Sequence, residues 1–306
     1  MPIPPTGEQF VLASGDATVT VVEVGGGLRG YRHGDRELLD GYAVTETADE
    51  GSRGHVLAPW PNRIADGRYR WDGVEHQLAL TEPARATAIH GLLRFVAWTP
   101  VDRARDRVAL EHLLHPQPGY PFTLRVQVAY ELGEAGLRVT TTATNEGEVP
   151  LPYGEGHHPY LSAGPGRLLD ECTLVVPAAT RLDTDARGIP TGASPVAGTE
   201  VDLRAGRRIG GLVLDTAFTD LARDDRGLAH VRLTGPDGTG AAVWLNDAYG
   251  WLQLYTGDAM RRDRRRRGLA VEPMTCPPNA FATGEGVRRL EPGESATGTW
   301  GIAPLG

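Results

Sequence analysis

Apolar and polar residues alternate with a period of two along many short runs of this sequence. The alternation is clear at residues 17–24, 107–114, 124–130, 137–142, 230–233 and 241–245. Successive side chains of a β-strand point to opposite faces of the sheet, so this period is typical of strands with one buried face. No helical period is sustained over three turns. The pattern therefore predicts an all-β protein built mainly from antiparallel strands.

Short segments rich in glycine, aspartate and asparagine separate these runs and predict turns. Gly25-Gly26-Gly27 is one of them, and we interpret it as a hairpin turn because the residues that follow do not begin a helix, as a phosphate-binding loop requires. No change in composition marks a linker, and no repeat recurs at a fixed period. We therefore expect residues 1–306 to form a single domain, a large antiparallel β-sandwich.

The composition excludes several classes of enzyme. All 31 basic residues are arginine, so Schiff-base chemistry, a pyridoxal phosphate anchor and a P-loop lack the lysine that they require. The formal net charge of -8 disfavours a broad nucleic-acid or anionic-membrane surface. Cys172 and Cys276 lack the spacing of a zinc or redox motif and are expected to be free thiols. No metal and no cofactor are predicted.

The sequence shows no secretory signal and no apolar run long enough to span a membrane. We therefore expect a soluble, cytoplasmic protein with no membrane partner. The segment Arg261 to Arg267, interrupted by Asp263, has the composition of a nucleic-acid patch. A solvated surface loop is the favoured interpretation, because no basic stripe elsewhere supports a nucleic-acid partner.

Two segments carry residues suited to proton transfer. In His157-His158-Pro159-Tyr160 a proline stiffens the backbone beside two imidazoles, which titrate near neutral pH. Glu272 follows the apolar run Leu269 to Val271, where desolvation would move its pKa toward neutrality, as a general base needs. The alternatives are structural histidines and a strand-end glutamate in a salt bridge, and the residues alone leave them open.

Five further polar positions are weaker candidates by themselves. Asn62 and Arg63 follow a proline turn, and His90 lies beside a glycine. Asp215 and Gln253 are polar among apolar neighbours. Surface ion pairs, or the solvent-facing positions of strands, would explain each of them equally simply.

Taken in order, these segments resemble the aldose 1-epimerase (galactose mutarotase) family across nearly the whole chain. The motifs that carry the resemblance are Pro61-Asn62-Arg63, Ile89-His90-Gly91-Leu92, Gly156 to Leu161, Asp215 to Phe218, Gln253 to Gly257, and Val271-Glu272-Pro273-Met274. The resemblance implies a β-supersandwich with an open cleft. It also implies an enzyme that interconverts the α and β anomers of a free aldose, of galactose or glucose type, without a cofactor.

The resemblance also implies a role for each matching residue. Glu272 would be the base and His158 the acid, while Arg63 and His90 would hold sugar oxygens near the reacting centre. The remaining hydroxyls would be hydrogen-bonded by Asn62, Tyr160, Asp215 and Gln253. It assigns no role to His157, and either Trp60 or Tyr255 is expected to pack on the apolar face of the sugar.

Alternative functions remain open at this point. The same scaffold could serve as a non-catalytic sugar-binding or regulatory module, or Glu272 and Asp215 could be the carboxylates of a glycoside hydrolase. The segment from Gly257 to Gly268 is short and rich in arginine, so a phosphorylated sugar held by Arg261 to Arg267 is a further alternative. The preferred aldose and the oligomeric state are not predicted.

Overall fold

A computed structural model of the chain describes residues 3–47 and 50–306. The first strands in chain order are β1 (Gln9–Ser14), β2 (Ala17–Val22), β3 (Leu28–His33), β4 (Arg36–Glu37), β5 (Val56–Leu57), β6 (Arg63–Ala65), β7 (Arg68–Trp71), β8 (Val74–Gln77) and β9 (Thr87–Ile89). They are followed by β10 (Thr99–Arg103), β11 (Arg107–Leu114), β12 (Leu124–Gly133), β13 (Gly136–Asn145), β14 (Leu151–Tyr153), β15 (Gly156–His157), β16 (Tyr160–Ser162), β17 (Thr173–Val175) and β18 (Ala178–Thr184).

The remaining strands are β19 (Pro190–Pro195), β20 (Arg207–Arg208), β21 (Asp215–Leu221), β22 (Ala229–Thr234), β23 (Gly240–Leu245), β24 (Trp251–Tyr255), β25 (Gly268–Met274), β26 (Arg288–Leu290) and β27 (Ser295–Leu305). In the described part of the chain, helical structure is limited to 3₁₀ turns at Glu50–Ser52, Pro83–Arg85 and Leu169–Glu171 and to the single-turn helix α1 (Ala280–Thr283). The prediction of an all-β fold is confirmed.

The larger of the two main sheets contains nine strands in the order β10-β11-β12-β13-β27-β23-β22-β17-β20. Long hairpins form one half of it, where β11, β12 and β13 pair in antiparallel register along their full length. The second half joins the first through β27, which pairs with β13 on one side and with β23 on the other. Residues 295–305 therefore occupy the middle of the sheet.

The second main sheet contains the strands that bear most of the candidate site residues. Its order is β19-β18-β21-β24-β25-β15-β5, and β16 also pairs with β25. Every residue of β25 is buried. Because β25 has partners on both sides, any side chain that it carries is held on a rigid backbone and removed from bulk water.

Apolar side chains of both sheets form one contiguous buried cluster. Val128 and Ile302 belong to the nine-stranded sheet, and Leu254 and Val271 belong to the eight-stranded sheet. Burial of apolar side chains between two packed layers is the main favourable contribution to a fold of this kind. That residues 1–306 form a single domain stays a prediction.

Several local predictions can be compared with the structure. Gly25 to Gly27 connect β2 and β3, which pair in antiparallel register, so the predicted hairpin turn is confirmed. A side chain on Gly25 would lie 2.6 Å from the carbonyl oxygen of Arg94, and its φ of 82° is also one that glycine adopts most readily. Cys172 and Cys276 are buried free thiols. Among residues 3–47 and 50–306 no helix is long and apolar enough to span a membrane.

Candidate active site

Glu272 lies near the middle of the all-buried strand β25, and Gln253 faces it on the neighbouring strand β24. The sequence suggested that Glu272 ends a strand, but the strand continues through Pro273 to Met274. Burial raises the pKa of the Glu272 carboxyl well above its ordinary value; the charge of Asp215 adds to this effect and the charge of Arg63 opposes it. The structure thus combines a rigid backbone with a carboxyl group of unusually high proton affinity.

Asp215 and Gln253 form a hydrogen-bonded pair beside Glu272. The side-chain amide of Gln253 donates to Asp215 Oδ1 at 2.6 Å, which is possible because β21 and β24 are adjacent strands. Gln253 is buried and not solvent-facing, so the alternative suggested by its alternating neighbours is wrong. The pair offers fixed donor and acceptor atoms to a polar ligand.

His158 follows β15, and its Nε2 lies 3.2 Å from Glu272 Oε1. The backbone amide of His158 donates to the carbonyl of His55 at 3.1 Å, and the ring of Tyr160 stacks on the imidazole with an interplanar angle of 11°. Burial, with a smaller contribution from the charge of His55, lowers the pKa of His158 to about 3. Imidazole and carboxyl therefore meet within proton-transfer distance.

The neighbouring His157 is directed to the opposite side of the strand, since side chains alternate along it. Its Nε2 lies 2.9 Å from Thr141 Oγ1, and its ring packs on Trp300 with centroids 4.9 Å apart. Both partners belong to the nine-stranded sheet. The structure thereby distinguishes the two histidines, of which only His158 lies beside Glu272.

His90 and Asn62 are held by reciprocal contacts and both adopt positive φ values, 62° and 54°. The backbone amide of Asn62 donates to His90 Nδ1 at 3.2 Å, and the amide of His90 donates to the carbonyl of Asn62 at 2.9 Å. Burial lowers the pKa of His90 well below its ordinary value, with the charge of His158 contributing. A neutral His90 whose Nδ1 accepts this hydrogen bond carries its proton on Nε2 and is a donor there.

This tautomer bears on whether the cluster could hold a metal. One nitrogen each of His90 and His158 and one oxygen of Glu272 lie within 4.8 Å of one another. A metal requires an unprotonated ring nitrogen, whereas the Asn62 contact leaves the proton of His90 on Nε2. The three residues therefore fit a hydrogen-bonding role better than a metal-binding role, and the absence of a metal stays a prediction.

Arg63, at the start of β6, is held by a carboxylate that the sequence did not single out. Glu82 accepts hydrogen bonds from Arg63 Nε at 2.7 Å and from Nη2 at 3.1 Å, and also accepts one from Thr87 Oγ1 at 2.7 Å. Such a two-point contact fixes the plane of a guanidinium. The loop before β19 also restricts the position of the Arg63 guanidinium, because a Cβ on Gly188 would lie 2.9 Å from Arg63 Nη1.

Tyr160 lies beside His158, but its hydroxyl is already engaged. The hydroxyl donates to the carbonyl of Gly51 at 3.0 Å, and the Arg53 guanidinium lies over the ring, 4.2 Å from its centre. The hydroxyl oxygen can still accept a hydrogen bond, so the expected contact between Tyr160 and a sugar hydroxyl stays a prediction. The ring forms a wall of the site next to the imidazole.

All eight residues singled out from the sequence line one open cavity of about 270 Å³. They are Asn62, Arg63, His90, His158, Tyr160, Asp215, Gln253 and Glu272. The cavity is also lined by residues that the sequence analysis missed, including Ser52, Glu82, Arg85, Arg94 and Ala259. Asparagine, arginine, histidine and carboxylate groups converging in a cavity of this size suit a small, hydroxyl-rich ligand.

The structure refines two expectations about the surroundings. Trp60 is buried against Phe281 in the core, so of the two proposed aromatic residues only Tyr255 lines the cavity. The arginine-rich segment is not simply a solvated loop. Arg264 pairs with Glu46, Arg266 pairs with both Asp170 and Asp258, and their side chains are only 15% and 11% exposed.

Comparison with known proteins gives a consistent family. The profile of the aldose 1-epimerase family matches residues 8–302. The protein YihR of Escherichia coli K12, described as uncharacterized, is 36% identical over 290 residues, which cover 94% of this chain and 91% of YihR. Human galactose mutarotase is 31% identical over 157 residues, or 49% of this chain and 45% of that protein.

Solved structures share the fold. A GalM/aldose epimerase homologue from C. elegans superposes with a TM-score of 0.87 at 20% identity, covering 97% of this chain and 98% of the homologue. Galactose 1-epimerase from Lactobacillus acidophilus NCFM gives a TM-score of 0.78 at 20% identity, with 96% and 93% coverage. Because the family profile matches residues 8–302, the chain belongs to the aldose 1-epimerase family.

Proposed function

We propose that this protein is an aldose 1-epimerase that interconverts the α and β anomers of a free aldose, with Glu272 as proton acceptor and His158 as proton donor. The observation that carries the proposal is the 3.2 Å contact between Glu272 Oε1 and His158 Nε2 on the floor of a cavity lined by hydrogen-bonding side chains. Mutarotation needs an acid and a base acting on one hemiacetal, and needs no redox group.

The proposed reaction begins with the cyclic sugar, a Glu272 carboxylate and a protonated His158. Glu272 takes the proton from the anomeric O1 while His158 donates its proton to the ring oxygen O5, and the C1–O5 bond breaks to give the open-chain aldehyde. Rotation about C1–C2 presents the other face of the carbonyl. Glu272 then returns its proton to O1, His158 takes back the proton of the O5 hydroxyl, and the ring closes as the other anomer.

Burial matters because the two residues change charge together in this cycle. The cyclic sugar accompanies the ion pair, whereas the open aldehyde accompanies a neutral carboxylic acid and a neutral imidazole. Burial raises the pKa of Glu272 and lowers that of His158, so the site favours the neutral pair. The environment therefore stabilises the pair in the form that it takes when the ring is open.

Arg63 and His90 would contribute by electrostatic stabilisation. The charge of Arg63 lowers the proton affinity of Glu272, which partly offsets burial and keeps the carboxylate accessible. The Nε2–H of a neutral His90 can donate to a sugar oxygen that gains negative charge as the ring opens. Asp215 and Gln253 would orient the sugar hydroxyls from the neighbouring strands.

Anomer exchange measured by polarimetry or exchange NMR tests the proposal. Glu272→Gln and His158→Asn should each reduce the rate by roughly 10²–10⁴-fold, the usual contribution of one proton-transfer group. Glu75→Gln and His115→Asn are matched controls at exposed positions and should retain the wild-type rate.

Two results would contradict the proposal. One is a wild-type protein that binds an aldose in calorimetry but gives no rate above buffer, which would favour a sugar-binding module. The other is a set of site variants whose rates equal those of the controls. Release of a chromogenic aglycone from aryl glycosides would instead indicate a hydrolase.

A further inference from the structure

Arg94 is the cavity residue whose contacts the proposed proton transfer leaves unexplained. Its Nη1 donates to Ser52 Oγ at 2.8 Å, and its Nη2 donates to the carbonyl of Ile89 at 3.0 Å. Its Nε is buried and has no hydrogen-bond acceptor. Nη1 and Nη2 each carry a second hydrogen that these two bonds do not use, which makes this guanidinium of the cavity lining a candidate for ligand binding.

Arg94 also differs from Arg63 and Arg85 of the cavity in having no carboxylate partner among the described side chains. Glu82 binds Arg63 through two hydrogen bonds and lies 3.6 Å from Arg85 Nε. Among the side chains that the structure describes, those of residues 3–47 and 51–306, no carboxylate lies within ion-pair distance of Arg94. Burial lowers the pKa of Arg94 to about 10, opposed by the charge of the more distant Glu82.

The hydrogen bonds of Arg94 connect it to the side of the cavity that bears His90 and His158. Ile89, which accepts its Nη2 hydrogen, immediately precedes His90 in the chain. Ser52, which accepts its Nη1 hydrogen, lies two residues before the backbone amide that donates to the carbonyl of His158 at 2.8 Å. The guanidinium is therefore hydrogen-bonded to the segments that hold the imidazoles of His90 and His158.

The proposed function determines which part of the sugar would lie on that side, and this inference rests on it. His158 would face the ring oxygen O5, which is bonded to C1 and C5. From O5, the bond to C1 leads toward O1 and Glu272. The bond to C5 leads the other way, to the exocyclic C6 group, which would therefore lie near His90 and His158. An anionic group at C6 would provide Arg94 with an opposite charge and with acceptors for the remaining hydrogens of Nη1 and Nη2.

We propose that the substrate is an aldose with an anionic group at C6, a phosphate, a sulfo group or a carboxylate, and that Arg94 binds this group. All three present the oxyanion acceptors that a guanidinium binds through charge-assisted hydrogen bonds. The arginines from 261 to 267, considered for this role from the sequence, do not line the cavity.

Steady-state anomer exchange with four sugars tests the preference: glucose, glucose 6-phosphate, glucose 6-sulfate and glucuronate. We expect kcat/KM to be at least about tenfold higher for one or more of the charged sugars than for glucose. A factor of this size is the usual contribution of a hydrogen bond to a charged group. Arg94→Met should bring that ratio close to one, and Arg94→Lys should retain part of it. Arg70→Met removes an exposed cation outside the cavity and should leave the ratio unchanged.

Binding of unreactive analogues separates this inference from the proposed function. 1,5-Anhydroglucitol and its 6-phosphate, 6-sulfate and uronate counterparts lack the anomeric hydroxyl and cannot open. A charged analogue that binds at least about tenfold more tightly than the neutral one, in a manner dependent on Arg94, supports the inference even if no sugar is turned over. Rapid turnover of glucose with no charge preference in rate or binding overturns the inference and leaves the epimerase proposal intact.

Discussion

The Arg63–Glu82 contact allows a quantitative test of how the site is held together. We consider Glu82→Gln, which preserves the shape of the side chain but removes its charge. The amide can replace only one of the two acceptor oxygens, and its NH₂ group would face a guanidinium donor. The substitution therefore leaves Arg63 partly unpaired in a buried environment.

The expected loss of stability follows from the burial of the pair. Removing one partner of a fully buried ion pair costs about 3–5 kcal/mol, whereas exposed pairs contribute about 0–1 kcal/mol. The side chains of Arg63 and Glu82 are 11% and 24% exposed. We therefore expect a loss of about 2 kcal/mol in the free energy of unfolding, which corresponds to a decrease of several degrees in Tm.

The effect on catalysis should be larger than the effect on stability suggests. Without the two-point contact the Arg63 guanidinium is free to turn toward Asp215 and Glu272, whose charges already act on it. A displacement of about 1 Å in a positioning group can reduce a rate by about 10²-fold. We expect kcat/KM for anomer exchange to decrease by roughly 10- to 100-fold.

The assay combines thermal unfolding with anomer exchange for three proteins. Glu75→Gln is the matched control, because Glu75 lies 4.0 Å from Arg68 with both side chains exposed. Its stability should change by less than about 0.5 kcal/mol, and its activity should remain that of the wild type. If Glu82→Gln matched this control in both Tm and kcat/KM, the assigned role of Glu82 in positioning Arg63 would be wrong.

Two other predictions concern the proton pair and the loop beside it. Because burial lowers the pKa of His158 to about 3 and raises that of Glu272, the pair carries one proton between these two pKa values. The pH–rate profile should therefore stay level on the acid side down to about pH 4 and decrease only as the pH passes the raised pKa of Glu272, and an acid limb near 6.5 that follows the ordinary pKa of histidine would contradict this assignment. Gly188→Ala should cost about 1–2 kcal/mol of stability at φ 76° and should also lower kcat/KM, since the new Cβ would press on Arg63. The control Gly198→Ala has a φ of 75° with nothing within 4 Å, so it should lose similar stability but no activity, and equal activities of the two variants would refute the steric argument.

The all-β fold could be predicted from the sequence because the pattern that indicates a strand is local. A period of two in runs such as 124–130 and 137–142 needs only neighbouring residues, and these runs form β12 and β13. The pairing of β27 between β13 and β23 was not accessible. The paired residues of β13 and β27 are more than 140 positions apart, and neither β13 nor β23 is next to β27 in the sequence.

The candidate site was predictable only where residues belong to recognisable motifs. The motif order brought together Arg63, His90, His158 and Glu272, although neither histidine of the pair could be preferred from its residue type alone. Glu82 and Arg94 lie between those motifs without a local pattern of their own. Their roles depend on which side chains meet them in three dimensions.

The central position of β27 has a consequence for how the chain reaches its folded state. The hairpins of β11, β12 and β13 can form while later residues are still being synthesised, because their contacts are local. The two halves of the nine-stranded sheet can join only after residues 295–305 have been made. Until then β13 and β23 each expose an unpaired edge, and such edges are sites of non-native association. Assembly of the sheet is therefore late, and a chain interrupted before residue 295 would leave both edges open.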